Sequence, residues 1–431
     1  MGKQDFPAGI KPAAGFVDPE IARRPALLGL RVLMIVENLP VPFDRRVWQE
    51  ANALSEAGAT VTIICPKAEG YVASYEFRDG IHIHRHRIYS DAASGIGYLF
   101  EYASALFGQT FLSWKTFFTR GFDVLHVCNP PDLGFIVALP FKFLGRPYIF
   151  DHHDINPELF EAKFGNKGWL WKAVSLVEKI NFLVADVVIS TNQSYRAIAL
   201  ERGRTKPENV FIVRSGPDTA RFKPVAACPD LKRGRAHMVA YVGVMGEQEG
   251  IDLLLAAVAH LVFERGRTDI GFCLVGGGSS LAGAQRLCDE LGLADYVHFT
   301  GRISDEALSA VLVTADVCVN PDRVTPMNNL STMNKVLEYM AFGKAQVQFD
   351  VKEGRFSAGD TSLYAAANDP SDFAQKILDL IDDPAKRDAM GAAGRARFEA
   401  GFSWNQQKPA LVAAYRRALA RVWIRRNPLL R

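Results

Sequence analysis

Short, largely apolar runs of strand length recur along this chain between helix-length segments, and the whole pattern runs twice. Arg31–Val36 (RVLMIV), Val61–Cys65 (VTIIC), Val124–Val127, Tyr148–Phe150 and Val187–Ile189 form the first series. Val239–Val242, Phe272–Val275, Val297–Phe299, Val317–Val319 and Gln346–Phe349 form the second. A strand that is apolar on both faces needs cover on both faces, and strands alternating with helices build a parallel sheet with helices on either side. Between the series lies Arg214–Asp230, polar and carrying Pro217, Pro224 and Pro229, which reads as a linker. The fold class is therefore α/β, with two Rossmann-like, doubly wound domains facing across a cleft. In such sheets ligands sit beyond the carboxyl ends of the strands, and a cleft between two domains is the default site.

Composition narrows the function. Lys and Arg number 50 against 47 Asp and Glu, a net charge of +3, too small an excess for a dedicated nucleic-acid binder. Residues 1–220 hold 24 Lys and Arg and 23 Asp and Glu, so neither half is a basic domain. Only the stretch from Tyr415 to Arg431 departs from this balance, with six arginines (Arg416, Arg417, Arg421, Arg425, Arg426 and Arg431) and no acid. No run of eighteen apolar residues lacks charges, so no ordinary transmembrane helix is expected. Residues 1–29 interleave Lys3, Lys11, Arg23 and Arg24 with prolines and acids, and read as a flexible lead-in rather than a secretory signal. The six cysteines (Cys65, Cys128, Cys228, Cys273, Cys288 and Cys318) form no Cys-x-x-Cys pair. They read as free thiols, mostly buried, in a reducing cytoplasm.

Several motifs carry chemistry. The loop after Val239–Val242 reads Gly243-Val-Met-Gly246-Glu-Gln248-Glu-Gly250-Ile-Asp252. Glycines between a strand and a helix let backbone N–H groups close on a phosphate at the helix N-terminus, although a tight turn also explains one of them. The spacing is neither Gly-x-Gly-x-x-Gly nor a Walker loop, which disfavours a dehydrogenase and a P-loop NTPase. Gly276-Gly277-Gly278 is a second such turn. Farther on, the polar loop Thr325–Thr332 opens a helix with Lys335 and Glu338 on one face. The lysine could meet a diphosphate and the glutamate sugar hydroxyls, or the two could form an ordinary surface ion pair.

In the first half, Asp151-His152-His153-Asp154 follows a strand directly; a cleft-facing pair and a helix cap are both open readings. Arg45 and Arg46 begin a helix capped by Asp44, placed for a phosphate or an anionic acceptor, or as solvated charges. His82, His84 and His86 share one face of a strand. No carboxylate accompanies them, so they read as a polar sheet face rather than a zinc site. Gly95–Phe118 is an aromatic-rich helix (Tyr98, Phe100, Tyr102, Phe107, Phe111, Trp114, Phe117 and Phe118) whose rings spread around it. With Phe164, Trp169, Trp171, Lys172 and the arginine tail it could touch a membrane, or it could simply pack on the sheet.

Taken together, these pieces resemble the retaining glycosyltransferases of family 4, which have the GT-B fold. Their donor element is E-x7-E followed by an apolar helix ending in A-x-G-K-P, and Glu338-Tyr-Met-Ala341-Phe-Gly343-Lys344 matches its second half. Gly243–Asp252 matches the family's glycine loop, and Asp123-Val-Leu-His126 and Val297–Arg302 match other recurrent pieces. The likeness runs from about Arg31 to Tyr415. The departures are Leu330 for the first glutamate, Val244 and Glu249 for the two loop cations, and Ala345 for the final proline. A branch resembling the fucosamine transferases of O-antigen and capsule synthesis also has a V-G-x-x-G-x-x-x-G-[IL]-D loop and a lysine at the place of Lys335.

The resemblance implies an acceptor-side domain over 30–215, a nucleotide-sugar domain over 216–403, and a final helix and basic tail over 404–431 that cross back. It implies a nucleotide-sugar pocket from Gly243, Gly246, Gln248, Gly250, Gly277, Arg302, Asn329, Asn334, Lys335 and Glu338. Glu338 would hold the ribose, Lys335 would be the substitute cation, and Asn328 or Asn329 would stand in for the missing glutamate. His153 and Asp154 would lie near the reacting sugar. The activity expected is retaining transfer of a hexosyl or N-acetylhexosaminyl group. The donor would be a UDP-sugar or, alternatively, a GDP-sugar, and the acceptor a glycan or lipid-linked molecule of surface polysaccharide synthesis. No tightly bound cofactor, metal or nucleic-acid partner is expected, and the place is the cytoplasm, peripheral on the inner membrane face of the cell envelope. Two rivals are a nucleotide-sugar 2-epimerase on the same fold and a degenerate GT-B scaffold subunit of a polysaccharide assembly, the latter motivated by Leu330, Val244 and Glu249.

Overall fold

The structure, a computed structural model, describes residues 26–88, 95–165, 167–219 and 223–426. The lead-in through Pro25, Arg431, and the side chains of Tyr98, Arg425 and Arg426 lie outside the described residues. The first sheet is built from β1 (Arg31–Ile35), β2 (Thr60–Pro66), β3 (Tyr75–Arg78), β4 (Ile81–His86), β5 (Val124–Cys128), β6 (Tyr148–His152), β7 (Val187–Ser190) and β8 (Val210–Ile212). Its order is β3-β4-β2-β1-β5-β6-β7-β8, parallel except for the β3–β4 pair. The second sheet holds β9 (His237–Val242), β10 (Ile270–Val275), β11 (Val297–Gly301), β12 (Val317–Asn320), β13 (Gln346–Phe349) and β14 (Ser362–Ala365). Its order is β11-β10-β9-β12-β13-β14, all parallel.

Every apolar run of the sequence lies in a strand. β3, β8 and β14 carry no such run, because all three are short, lie at sheet edges and are partly exposed. Alternation along each strand feeds two layers. In β1, Met34 joins Ile63 and Ile149 on one side, and Leu33 joins Ile64 and Phe150 on the other. The first of these layers is closed by Trp404, Leu411 and Tyr415 of the final helix, Trp404–Arg426. The last helix therefore belongs to the core of the first sheet, although it follows the second in sequence. The cysteines are free; five are buried and Cys228 is partly exposed. No helix among the described residues is long and apolar enough to cross a membrane.

His82, His84 and His86 lie on β4, where His82 meets Tyr75 and Arg120 and the His84 ring packs at a tilt against Tyr75. The helix Gly95–Thr119 corrects one expectation. Its rings do not spread evenly. Phe100, Phe107, Phe111 and Phe118 share one exposed face, while Gln109, Ser113 and Thr116 on the opposite face are buried.

The chain crosses between the sheets twice, at residues 213–218 and 402–403, and the crossings touch. A Cβ on Gly216 would stand 2.1 Å from the Phe402 carbonyl oxygen, so the contact admits only a residue without one. Gly216→Ala is expected to destabilise the protein by about 1–3 kcal/mol, read as an earlier midpoint in urea unfolding.

Candidate functional site

Strand order reverses between β9 and β12, and the loops leaving these two strands meet there. Gly250 has φ +63°, and a Cβ on it would stand 2.1 Å from the Pro321 carbonyl oxygen, so glycine is what lets the loops touch. Buried Asn328 ties them further. Its Nδ2 donates to the Gln248 carbonyl at 3.0 Å and the Arg323 carbonyl at 2.8 Å. In the same seam the Gly243 N–H donates to the Val275 carbonyl and the Met245 N–H to the Gly277 carbonyl. Gly246 leads into the single turn Glu247–Glu249.

The structure changes the reading of Lys335. Its side chain is buried, with the ammonium on Glu249, 2.7 Å from Asp322 Oδ1, and 4.9 Å from the Tyr241 ring centre. Burial raises the Asp322 carboxyl to about 8 against the pull of Lys335. Burial pushes Glu249 up as well, but the Lys335 ammonium and the hydrogen bonds around it bring Glu249 below its ordinary range. The carboxylate of Glu249 thus offsets the ammonium directly, with Asp322 on its other side. Lys335 is not an open cation, because the glycine loop supplies a carboxylate where the resemblance leads one to expect a lysine. Asn329 is likewise engaged elsewhere, since its Oδ1 accepts the Lys352 N–H at 2.9 Å at the start of the helix Lys352–Ala358.

Glu338 follows Lys335 on the helix Asn334–Ala341 and does reach the cleft between the domains. Asn334, Asp305, Arg45, Gln49 and the stretch 215–218 line the cleft with it. Burial raises the Glu338 carboxyl, and Arg45 opposes that shift. Arg45 spans the cleft: Nη2 donates to Asp305 Oδ1 at 2.5 Å, and Nη1 lies 3.8 Å from Glu338 Oε1. No side chain caps the start of the Asn334 helix, so its first N–H groups and positive dipole end face this wall unscreened. Arg302 is exposed, with its guanidinium 5.4 Å from the ring centre of Phe43 in the first domain.

Arg45 and Arg46 part company. Asp44 caps their helix by accepting the Val47 N–H at 3.0 Å, which turns Arg46 inward. Arg46 grips Asp151 with two hydrogen bonds (3.0 and 2.8 Å), lies 3.0 Å from Glu50, and donates to the Val213 carbonyl and the Ser215 hydroxyl at 2.9 Å. Arg46 borders the cleft but is buried and held by these partners, so the expectation that it is a free cation for phosphate, or a solvated charge, is corrected. His126 completes the cluster, with Nε2 3.6 Å from Asp151 and 3.7 Å from Glu50, and Nδ1 2.7 Å from the hydroxyl of Tyr415 in the final helix. Burial raises Glu50 well above the ordinary carboxyl range, while Arg46 holds Asp151, itself pushed up by burial, well below it. His126, Cys128 and Asp151 are the one group of metal-ligating types close together among the described residues. Asp151 and His126 are already committed to Arg46 and Tyr415.

His153 and Asp154 follow β6. Both of their N–H groups donate to Asn129 Oδ1, at 2.8 and 3.0 Å, and Asn129 Nδ2 donates to the Asp154 carbonyl at 2.6 Å and to Asp132 at 2.9 Å. Burial lowers the His153 imidazole to about 4 despite Asp151, so it is neutral at pH 7, and its Nε2 has no hydrogen-bond partner. Burial raises Asp154 to about 7. The pair does not line the cleft beside Glu338; it is joined to that cleft through Asp151 and Arg46. Sequence reading missed Asn129, Asp305 and Asp322. It also missed the bridge from Asn192, Ser194 and Tyr195 to the Leu330 carbonyl, Glu353 and Ser331 of the second domain. Of these, only Asn129 carried a signal, standing at a strand end before two prolines.

Arg46→Ala leaves Asp151 buried without its cation and is expected to cost about 3–5 kcal/mol. Arg45→Ala, one residue away and largely exposed, is expected to change stability by no more than about 0.5 kcal/mol. Parallel urea titrations compare the two.

Known proteins share this architecture. Residues 44–216 match the model described as "Glycosyl transferase 4-like domain", and residues 236–383 match "Glycosyl transferases group 1". The chain is 29% identical over 308 residues to the MMP alpha-(1->4)-mannosyltransferase of Mycolicibacterium hassiacum, covering 70% of this chain and 72% of that protein. Sucrose-phosphate synthase from Thermosynechococcus elongatus superposes with a TM-score of 0.74 at 23% identity, over 91% of this chain and 100% of that one. HepE of Anabaena, solved with UDP and glucose, superposes with a TM-score of 0.68 at 15% identity, over 90% of this chain and 99% of that one. Two Rossmann-like domains facing across a cleft, with both halves matching transferase models, make this chain a GT-B-fold protein related to the group 1 and 4-like glycosyltransferases.

Proposed function

We propose that the chain is a retaining glycosyltransferase. It moves a hexosyl or N-acetylhexosaminyl group from a UDP-sugar, or alternatively a GDP-sugar, to a glycan or lipid-linked acceptor of the cell surface, working on the cytoplasmic face of the membrane. The observation that carries this is the opposition of Glu338 and Arg45 across the cleft, beside an uncapped helix start. A nucleoside diphosphate offers the matching groups: ribose hydroxyls for the carboxylate, phosphates for the guanidinium and the N–H groups. HepE, solved with UDP and glucose, supports the same donor class, and the mannosyltransferase relative supports glycosyl transfer. The loop Val242–Asp252 and Lys335 are consistent with the fucosamine-type branch.

In this reading Arg45 exchanges Asp305 and Glu338 for the diphosphate and, with the helix N–H groups, stabilises the charge that grows as the diphosphate leaves. Lys335 acts behind the surface, holding Glu249 and thereby the glycine loop. The acceptor approaches from the face the sugar leaves, and the departing diphosphate takes its proton. Retaining glycosidases instead use two carboxylates about 5 Å apart. Neutral His153, with an open Nε2, and Asp154 bind hydroxyls of the transferring sugar.

A thermal-shift screen with UDP, GDP, dTDP and ADP tests the donor site. UDP at one hundred times its Kd should stabilise the protein by about 2.7 kcal/mol, and Glu338→Ala should abolish the shift. Indifference to all four nucleotides contradicts the reading and favours a scaffold. Incubation with UDP-sugar alone should yield no epimer.

Asp154 predicts a pH signature. Burial holds its folded pKa at about 7, above the ordinary carboxyl value of 3.8, so its stabilising contribution is full below about 4 and is lost as pH rises through about 7. Relative to wild type, Asp154→Asn should gain stability above pH 7 and none near pH 4. Turnover, which uses the ionised carboxylate, should rise through pH 7 in wild type and lose that limb in the variant.

A further inference from the structure

The helix Gly95–Thr119 packs on the sheet through Leu106, Leu112 and Phe117, yet it carries a second apolar stripe that faces out. Gln109, Ser113 and Thr116 are buried, and Gln109 Nε2 donates to the Glu37 carboxylate at 2.9 Å. On the opposite face Phe100, Phe107, Phe111 and Phe118 are 60–77% exposed. Surface helices present polar residues on their outer face, and an apolar stripe there marks a surface that meets another phase or partner. The helix Trp169–Val184 likewise exposes Trp169, Leu170, Leu176 and Leu183.

Between these helices lies an open cavity of about 600 Å³. Tyr102, on the flank of the Gly95–Thr119 helix turned away from its Phe stripe, forms part of its wall, and Leu159, Phe160, Phe164, Leu170 and Val174 make most of the rest apolar. One end is polar. Asp132 and Asn156 stand there, with Asn156 Nδ2 donating to Asp132 Oδ2 at 2.7 Å. Asp132 in turn accepts from Asn129, the residue that holds the His153–Asp154 turn. The polar end of the cavity is therefore joined, through Asn129, to the His153–Asp154 turn placed above at the reacting sugar.

Charge on this face is sorted as well. Glu158 and Glu178 turn to Arg202, each at 2.6 Å, and Glu161 to Lys167 at 3.2 Å. Lys115 and Lys172 remain exposed, and Lys163 stands in the cavity wall. Apolar side chains flanked by outward lysines match a bilayer surface with anionic headgroups.

We propose that this face seats on an anionic bilayer and that the cavity takes the hydrocarbon chain of a membrane lipid, the lipid that carries the acceptor group. The placement of the acceptor head beside Asp132 rests on the transferase reading; the binding of lipid does not. In vesicle flotation, wild-type protein should float with phosphatidylcholine vesicles containing phosphatidylglycerol, and the double variant Phe107→Ser, Phe111→Ser should bind them about tenfold more weakly. Both positions are exposed, so the variant keeps its fold. Parinaric acid should bind wild type saturably, and Ala173→Trp, at an exposed position of the cavity wall, should remove that fluorescence while the UDP thermal shift stays unchanged. Failure of wild type to float, equal flotation of the double variant, or unchanged parinaric acid binding in Ala173→Trp each overturns the proposal. Lipid binding without a UDP shift instead removes the transferase reading and leaves the lipid face standing.

Discussion

The double hydrogen bond between Arg46 and Asp151 is the contact on which the first domain's cleft depends. Buried charges of this kind persist only where every partner is supplied. Here one guanidinium meets the end of β6, its own helix through Glu50, and the crossing segment through Val213 and Ser215. Through His126 and Tyr415 the same cluster reaches the final helix. Three consequences follow from one side chain. Arg45 is presented to the cleft, His153 and Asp154 start from a fixed strand end, and the segment joining the domains is anchored at its root.

The second domain uses charge differently. Its floor holds an ammonium, but Glu249 and Asp322 occupy it. With Lys335 so engaged, positive charge at the cleft wall comes from other groups. Helix N–H groups supply part, and Arg45 comes from the opposite domain. In the proposed reading donor binding and domain closure become one event, because Arg45 and Glu338 belong to different domains. Contacts such as Asn192 with the Leu330 carbonyl and Ser194 with Glu353 keep those sheets within reach of each other.

The architecture was legible because burial on both faces leaves a mark in sequence. β1, β2, β5 to β7 and β9 to β13 all coincide with apolar runs, and Asp44 signalled its helix. The edge strands β3, β8 and β14 left little trace, since exposed strands need no such run. The site was legible as segments rather than as roles. Gly250, Glu338 and Arg45 sit where loop and helix reasoning placed them. Arg46 and Lys335 looked like their exposed neighbours, because a one-dimensional pattern does not record which partner lies across the fold. Asp151 is 105 residues from Arg46 and Glu249 is 86 from Lys335. The outward stripe on Gly95–Thr119 was hidden for a related reason: seven-residue spacings among many aromatics sort into faces only once the buried side is known.

A crystal structure with UDP bound tests the division of labour between the two domains most directly. Arg45 is expected to have left Asp305 for a phosphate oxygen, with Glu338 on the ribose and Lys335 still held by Glu249 and Asp322. A complex in which Lys335 has left its carboxylates to bind the diphosphate, with Arg45 still on Asp305, would contradict it.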